Sequence, residues 1–450
     1  QIPSLLLSLA TAIIVTRVTT SESMTEQASS QLGNPMALIV AGGILVLLGL
    51  VPGMPTWIFL TLGLGSGALG ISMFRKAELE KVAEASGADQ ATAKVDPMTE
   101  ELGWDDVDQV DLVGLDIGYG LIPLVSPETG GQLLPRVKGV RKKLSAELGF
   151  LVQPIRIRDN LDLSPDVYHI VMNGVVRGKG EIKVGKEMAI NPGQVHGTLE
   201  GTPTKEPAFG LDAIWIDASQ RDYARTLGYT VVDPATAIAT HLNTLLRGSA
   251  SELLSHDETQ QLLDKVAGRS PKLVEDLVPG KLPLATITKV LQNILDEGVS
   301  VRDMRTIIEV LSTESARTQD ADELTASVRP RLGRMIVQSL VDINDSLPVI
   351  TLNPSLEQML HNILQQSSSP QGLVIEPKLA EGLFKALAEN TAEVENQGHP
   401  AVLVVSPGIR PWLAKIIRHR LSDLTVLSYS EIPDDQAVKV VATVDVDVTN

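Results

Sequence analysis

Residues 180–186, Gly-Glu-Ile-Lys-Val-Gly-Lys, have the GxxxxGK spacing of a loop that cradles phosphates with backbone N–H groups and a lysine. Such a loop needs Ser or Thr next, to hold magnesium, and a helix whose N-terminus faces the phosphates. Here Glu187 follows and the spacer has strand character, so nucleotide binding is not expected. The seven histidines, His169, His196, His241, His256, His361, His399 and His419, share no metal-ligand spacing such as HExxH, so no metal site is expected. Ser406-Pro407-Gly408 before a helix could hold an anion, but an ordinary strand-to-helix turn accounts for it better. No GxSxG elbow occurs, and no carboxylate pair stands out. The expectation is a protein that is not an enzyme and needs no cofactor.

The composition points the same way. The 450 residues are 43% hydrophobic, 21% charged and 3% aromatic, enough apolar side chain to bury several cores. A net charge of −17, with acids outnumbering bases 55 to 38, argues against a partner that is nucleic acid. The absence of cysteine excludes disulfides, thiolate zinc sites and cysteine nucleophiles.

No charged residue occurs over the 48 positions from Gln27 to Phe74. Met36 to Phe74 is apolar and Gly-rich, and as one helix it would span about 58 Å, roughly twice a hydrocarbon core of ~30 Å. Val51-Pro52-Gly53-Met54-Pro55 breaks it, predicting two membrane helices, 36–51 and 56–74, in a hairpin. Ile2 to Thr16 reads as the end of an earlier spanning helix, and the start on Gln1 inside that run reads as a fragment of a longer chain. Arg75 and Lys76 place the rest in the cytoplasm by the positive-inside rule.

Residues 1–76 are thus assigned to membrane helices, and residues 77–111 to an acidic linker with two bases and eleven acids, a net of −9. Trp104, in Glu-Glu-Leu-Gly-Trp-Asp-Asp, is a ring that would be costly to leave in water; it packs either on its own chain or on a neighbouring subunit. Residues 112–184 with 234–253 read as an α+β subdomain, including a basic helix over 134–148 with Arg136, Lys138, Arg141, Lys142 and Lys143 on a solvated face. Residues 185–233 read as a small β-rich insert with strands at 213–216 and 229–232. Residues 254–333 read as all-helical, with Ser255 and Glu258 forming a capping box and further helices near 283–296, 301–315 and 320–341. Residues 334–433 read as α/β: strands at 349–352, 401–405 and 424–427, with helices at 355–365, 379–390 and 410–421. Residues 434–450 form an edge strand or a loose tail. The fold class is therefore membrane helices followed by a multi-subdomain α+β region.

Several separated stretches together are distinctive: Gln1-Ile2-Pro3-Ser4, the Leu50–Pro55 turn, Asp159-Asn160-Leu161, Ala189-Ile190-Asn191-Pro192-Gly193, Gly197–Gly201, Pro207-Ala208-Phe209-Gly210-Leu211, Leu227–Asp233 and Ala239–Asn243. They closely resemble the large export-gate proteins of bacterial type III secretion, particularly the flagellar branch. The resemblance covers essentially the whole chain. It implies an inner-membrane protein whose cytoplasmic part has four subdomains and forms a nine-subunit homo-oligomeric ring. Partners would be export chaperone–substrate complexes and other membrane and cytoplasmic proteins of the export apparatus. The family has eight membrane helices and a loop carrying Phe-His-Ile-Pro-Glu-Pro, and this chain resembles only the last two to three helices and the cytoplasmic region after them. Carried over residue by residue, the family's hydrophobic dimple for chaperone–substrate complexes falls on Ile190, Pro192, Glu206, Phe209, Leu211, Val232 and Thr240. Glu206 stands where the family pattern has Asp. The linker residues Glu101, Trp104 and Asp106 match the segment that docks on an adjacent subunit, and Gly118 matches a position associated with subdomain mobility.

Two readings of function remain. The favoured one is a docking platform for flagellar export cargo, with the injectisome counterpart as the near alternative. The other is a nucleotide-dependent transporter subunit, which rests only on Gly180 to Glu187 and the βαβ pattern.

Overall fold

The computed structural model describes residues 111–366 except Pro127 and Thr129, residues 376–446 except His419 and Ser422, and Trp57, Thr61 and Leu62. Apart from Trp57, Thr61 and Leu62, the expected membrane helices lie outside the described residues, as do Glu101, Trp104 and Asp106. Among the described residues no helix is long and apolar enough to cross a membrane. The elements below all belong to the compact unit Asp108–Asn450.

The unit opens on β1 (Val113–Ile117), whose side chains are nearly all buried, followed by α1 (Leu133–Leu148) and β2 (Arg156–Asp159). Next come β3 (Val167–Met172) and β4 (Val175–Glu181), and the sheet order is β2-β1-β3-β4. β1 and β2 are parallel, as the intervening helix requires, and the other pairings are antiparallel. Asn173 and Gly174, with φ of 49° and 78°, make the tight β3–β4 turn, since both central positions of this hairpin need positive φ. Asn-Gly between two apolar stretches is the strongest short hairpin signal. α1 buries Leu133, Val137 and Leu144. Its basic face is less solvated than expected, because Arg136 bonds Asp233 at 2.7 Å and Arg141 donates to the Val152 carbonyl at 2.7 Å.

A second sheet, wholly antiparallel, holds β5 (Lys186–Ile190), β6 (Thr202–Lys205), β7 (Asp212–Asp217) and β8 (Thr230–Val232) in the order β6-β7-β5-β8. The short α2 (Arg221–Thr226) joins β7 to β8. Strand alternation divides its apolar residues between two faces. Met188, Ala213 and Trp215 belong to the main core, with Trp215 only 1% exposed. Ala189 and Ile216 build a separate small core with Leu199, Ala224 and Tyr229. From β8 the chain enters α3 (Pro234–Gly248), where the Asp233 carboxylate accepts the Thr236 N–H at 2.9 Å and Pro234 fills the first helical position.

The helical segment comprises α4 (His256–Ala267), α5 (Pro271–Glu275), α6 (Leu284–Asp296), α7 (Met304–Glu314), α8 (Ala321–Val328) and α9 (Gly333–Leu340). The Ser255–Glu258 capping box is present. The single helix expected over 320–341 is instead two, divided by a 3-10 turn at Arg329–Leu332. Pro330 cannot donate within the ladder, and Gly333 lies so close to the Glu431 carbonyl that a Cβ there would meet its oxygen at 2.1 Å.

The last sheet is wholly parallel, with β9 (Leu347–Leu352), β10 (Val402–Val405), β11 (Thr425–Ser428) and β12 (Val438–Val444) in the order β11-β10-β9-β12. α10 (Pro354–Gln366), α11 (Pro377–Asn396) and α12 (Arg410–Arg418) make the crossovers. α11 runs six residues beyond its expected end at Asn390, and α12 stops at Arg418 rather than Leu421. Within the final segment, Val438–Val444 is an edge strand on β9. One face of this sheet, with Leu347, Val349, Val402, Val404 and Leu427, joins the main core, and the other packs under the crossover helices.

Candidate docking surface

The phosphate-loop spacing dissolves in three dimensions. Gly180 lies in β4, where a Cβ would meet the Tyr168 ring at 2.7 Å, and Gly185 turns the chain with φ of 82° before β5. Glu187, where a magnesium-binding hydroxyl would be needed, is buried and pairs with the Arg221 guanidinium. A strand comes next, not a helix, so no N–H cluster faces the loop. Among the described residues no group of His, Asp or Glu side chains could hold a metal ion.

The residues carried over as a dimple group about the second sheet and α3. Ile190 ends β5 opposite Ala213, and the Asn191 N–H donates to the Asp212 carbonyl at 2.9 Å, so Pro192 leaves the sheet beside Leu211. The β6–β7 hairpin carries Glu206, Phe209 and Leu211. Its turn is closed by two backbone bonds: the Glu206 N–H donates to Leu211, and the Gly210 N–H to Glu206. Gly210 has φ of 71°, a conformation that other residues rarely adopt. Val232 in β8 and Ile190 are half-buried against the main core, and Thr240 is half-buried on α3.

Three of these residues are open to water: Pro192, Leu211 and Phe209, the last 65% exposed. An aromatic ring held out by a built turn is unusual for a residue whose burial would be worth a few kcal/mol. Glu206, unlike these three, is buried. It is 3% exposed, and its two carboxylate oxygens accept the Ala208 N–H at 2.9 Å and the Phe209 N–H at 2.7 Å. Its charge thereby fixes the turn that presents Phe209.

Tyr168 of β3 and His241 of α3 form a pair that no spacing in the sequence singles out. The Tyr168 hydroxyl and His241 Nδ1 are 2.7 Å apart, their rings are edge-to-face at 5.8 Å, and both residues are buried. Burial pushes the Tyr168 hydroxyl up from its ordinary value, and the Glu206 charge adds to this. Burial pushes the His241 imidazole below its ordinary value, and Glu206 opposes it without reversing the shift. The one signal in the sequence is Gly178 and Gly180, whose missing side chains make room for these rings.

Gly118 comes directly after β1 with φ of −67°, which any residue adopts; its need is space, since a Cβ would lie 2.1 Å from the Ser164 carbonyl oxygen. Two hollows of about 450 and 360 Å³ lie elsewhere, one by α5 and α7, the other between the end of α1 and α4. Neither is lined by a carried-over residue.

A model described as the FHIPEP family matches residues 1–437. The flagellar biosynthesis protein FlhA of Escherichia coli strain K12 is 43% identical over 99% of this chain. The chain spans 63% of that relative's length. Among solved structures, the Chlamydia pneumoniae CdsV protein aligns at 23% identity with a TM-score of 0.64, covering 76% of this chain and all of that one. The nonameric EscV cytosolic domain from the type III secretion system aligns at 21% identity with a TM-score of 0.58, over 75% of this chain and 97% of that one. At these identities the two structures bear on the fold alone: an α+β region of the kind found in those domains.

Proposed function

Because the chain belongs to the FHIPEP family, we propose that it is part of the export gate of a flagellar type III protein-export apparatus. In this reading, residues 1–76 are membrane helices in the bacterial inner membrane, and the rest is a cytoplasmic platform. The platform docks chaperone–substrate complexes through Ile190, Pro192, Phe209, Leu211, Val232 and Thr240, with Glu206 holding the presenting turn. Glu101, Trp104 and Asp106 contact a neighbouring subunit, and the nonameric form of the EscV domain supports a ring. Identity of 43% to a flagellar relative, against 21–23% for the structural neighbours, favours the flagellar branch over the injectisome. No catalytic step is assigned to the chain.

The observation that carries the docking role is Phe209, 65% exposed on a turn clamped by a buried carboxylate. A phenylalanine has about 200 Å² of surface, so roughly 130 Å² of this one remains to be covered by a partner. At ~25 cal/mol per Å² that is about 3 kcal/mol, or a few hundredfold in affinity. Phe209→Ala is therefore expected to weaken binding of a purified flagellar chaperone–substrate complex by at least about tenfold while leaving circular dichroism unchanged. Tyr223→Ala, which truncates an aromatic ring 58% exposed outside the site, is the control and should bind as the parent does. Equal weakening by both, or by neither, refutes the assignment.

A further inference from the structure

The docking surface has one wall on the second sheet and one on α3, and the residue that joins them is Asp233. Strand alternation puts Met188 and Ile190 of β5, Trp215 of β7 and Val232 of β8 on one face of that sheet. At one end of this face Met188 and Trp215 are sealed in the main core. Toward the other end it opens, with Ile190 half-buried and Leu211 41% exposed. α3, which carries Thr240, packs on β5. The sheet is tied to the rest of the unit by two chain crossings, residues 182–185 from β4 into β5 and Asp233 from β8 into α3. The first is a turn closed by backbone, the Lys186 N–H donating to the Lys183 carbonyl at 3.3 Å. The second is held by side chains. The Asp233 carboxylate accepts the Thr236 N–H at 2.9 Å, the Thr236 hydroxyl at 2.7 Å and the Arg136 guanidinium at 2.7 Å. Gln132, one turn before Arg136, meets the same guanidinium nitrogen at 3.2 Å. Because Arg136 pairs with Asp233 and Glu147 with Arg247, α1 runs alongside α3 in the same direction and braces it at both ends. Asp233 directly follows Val232 and caps the helix that carries Thr240, so the direction in which α3 leaves the sheet is decided at this residue.

We propose that Arg136 is a positioning residue of the docking surface: by holding the Asp233 carboxylate it pins the corner between β8 and α3, and so fixes the spacing between Ile190 and Leu211 on one wall and Thr240 on the other. Arg136 acts through Asp233 and not by touching the partner. Without the guanidinium Asp233 still caps α3, but the cap is no longer tied to α1 and the corner can yield as one piece. The side chains of the pair are 36% and 33% exposed, so a charge-assisted bond discounted for partial solvation sets the scale, a factor of about five. Ordering the corner then falls to the partner, which weakens docking by up to that factor.

The inference rests on the docking reading for its purpose, and its first test uses no partner. Amide hydrogen exchange is followed in the full chain in detergent. Arg136→Met keeps the apolar stem and removes the charge, and exchange over residues 231–237 is expected to rise about fivefold. Residues 206–210 and α4 should exchange as in the parent. Asp233→Asn still caps α3 but carries no charge; it should give the same rise, and the double replacement no more than either alone. Arg136→Lys restores the charge and should stay within about twofold of the parent. In titrations with a purified flagellar chaperone–substrate complex, Arg136→Met should weaken docking by about twofold to fivefold. Unchanged exchange over residues 231–237 in Arg136→Met, an equal rise in α4, or effects that add in the double replacement overturns the proposal. So does docking that is unchanged in Arg136→Met while Phe209→Ala weakens it. Should Arg136→Met fail to fold, Asp233→Asn carries both comparisons. If Phe209→Ala docks as the parent does, the docking reading fails, and the exchange result alone then decides whether the pair pins the corner, so the two fail separately.

Discussion

Replacing Glu431 by Gln tests what joins the helical segment to the last sheet. Four charges meet there: Arg329 and Arg410, 1% and 4% exposed, with Glu297 and Glu431. Arg329 donates to Glu431 at 2.8 and 3.2 Å and lies 2.6 Å from Glu297. Arg410 donates to Glu297 at 2.9 Å and to the Val426 carbonyl at 3.2 Å, and Ser428 donates to Glu431 at 3.2 Å. Two cations and two anions balance, so no net charge is buried. Glu431→Gln keeps the shape but leaves two guanidinium groups facing one carboxylate. Breaking a buried pair from one side typically costs 3–5 kcal/mol, because the remaining charge is neither solvated nor matched. For a unit this size that is roughly a 4–7 °C fall in melting temperature, which calorimetry of the full chain in detergent would read. The double replacement Arg329→Met with Glu431→Leu removes both charges and is expected to recover much of the loss. The exposed pair Arg334–Asp435 crosses the same junction at 2.9 Å, and Arg334→Ala should leave the melting temperature unchanged. A Glu431→Gln variant that melts within about 1 °C of the parent would refute the view that the network is structurally demanding.

Two glycines and one carboxylate give further expected outcomes. Gly118→Ala forces a methyl group to 2.1 Å from the Ser164 oxygen and is expected to destabilise by about 1–3 kcal/mol, with faster exchange over residues 160–166. Gly139→Ala, in α1 with nothing near its Cβ position, should stabilise by about 0.5–1 kcal/mol; a loss instead would mean that α1 is not helical there. Burial pushes the Glu258 carboxyl up, but hydrogen bonds from Ser255 and Gln153 outweigh it and hold it below its ordinary 4.5. Its contribution is thus present above that value and lost as pH falls through the lower, folded one. The melting temperature of Glu258→Gln should accordingly fall less steeply than the parent's below about pH 4.5, and parallel slopes would refute this.

The elements legible in the sequence are those whose signals are local. Ser255 and Glu258 mark a helix start because both partners of the capping box lie within one turn. Val402–Val405 reads as a buried strand because a continuous apolar, valine-rich run between Pro400 and Pro407 leaves little alternative. The break at Arg329–Leu332 carries a local signal in Pro330, but the helical periodicity on both sides outweighs it. Asn173-Gly174 is equally local, yet the apolar residues flanking it run together and mask the turn.

The candidate site is legible differently. That Phe209 is exposed cannot come from composition, since a Phe-Gly-Leu sequence serves a core as well as a surface. The structure separates the two possibilities through Glu206, whose oxygens are committed to Ala208 and Phe209 within the same turn. A carboxylate three residues before an aromatic is a readable pattern, but its meaning depends on burial, which spacing does not give; the buried Tyr168–His241 bond, between residues 73 positions apart, is equally silent in the sequence. The same holds for Arg329 and Glu431, 102 residues apart, which look in sequence like two ordinary surface charges. Interactions of this kind obey no period and have no preferred spacing. Their sequence trace is the glycine that makes room for them, Gly178 and Gly180 under the rings and Gly333 against Glu431. Glycines inside strands and at helix starts are thus the places to look for buried polar contacts that pattern and propensity leave invisible.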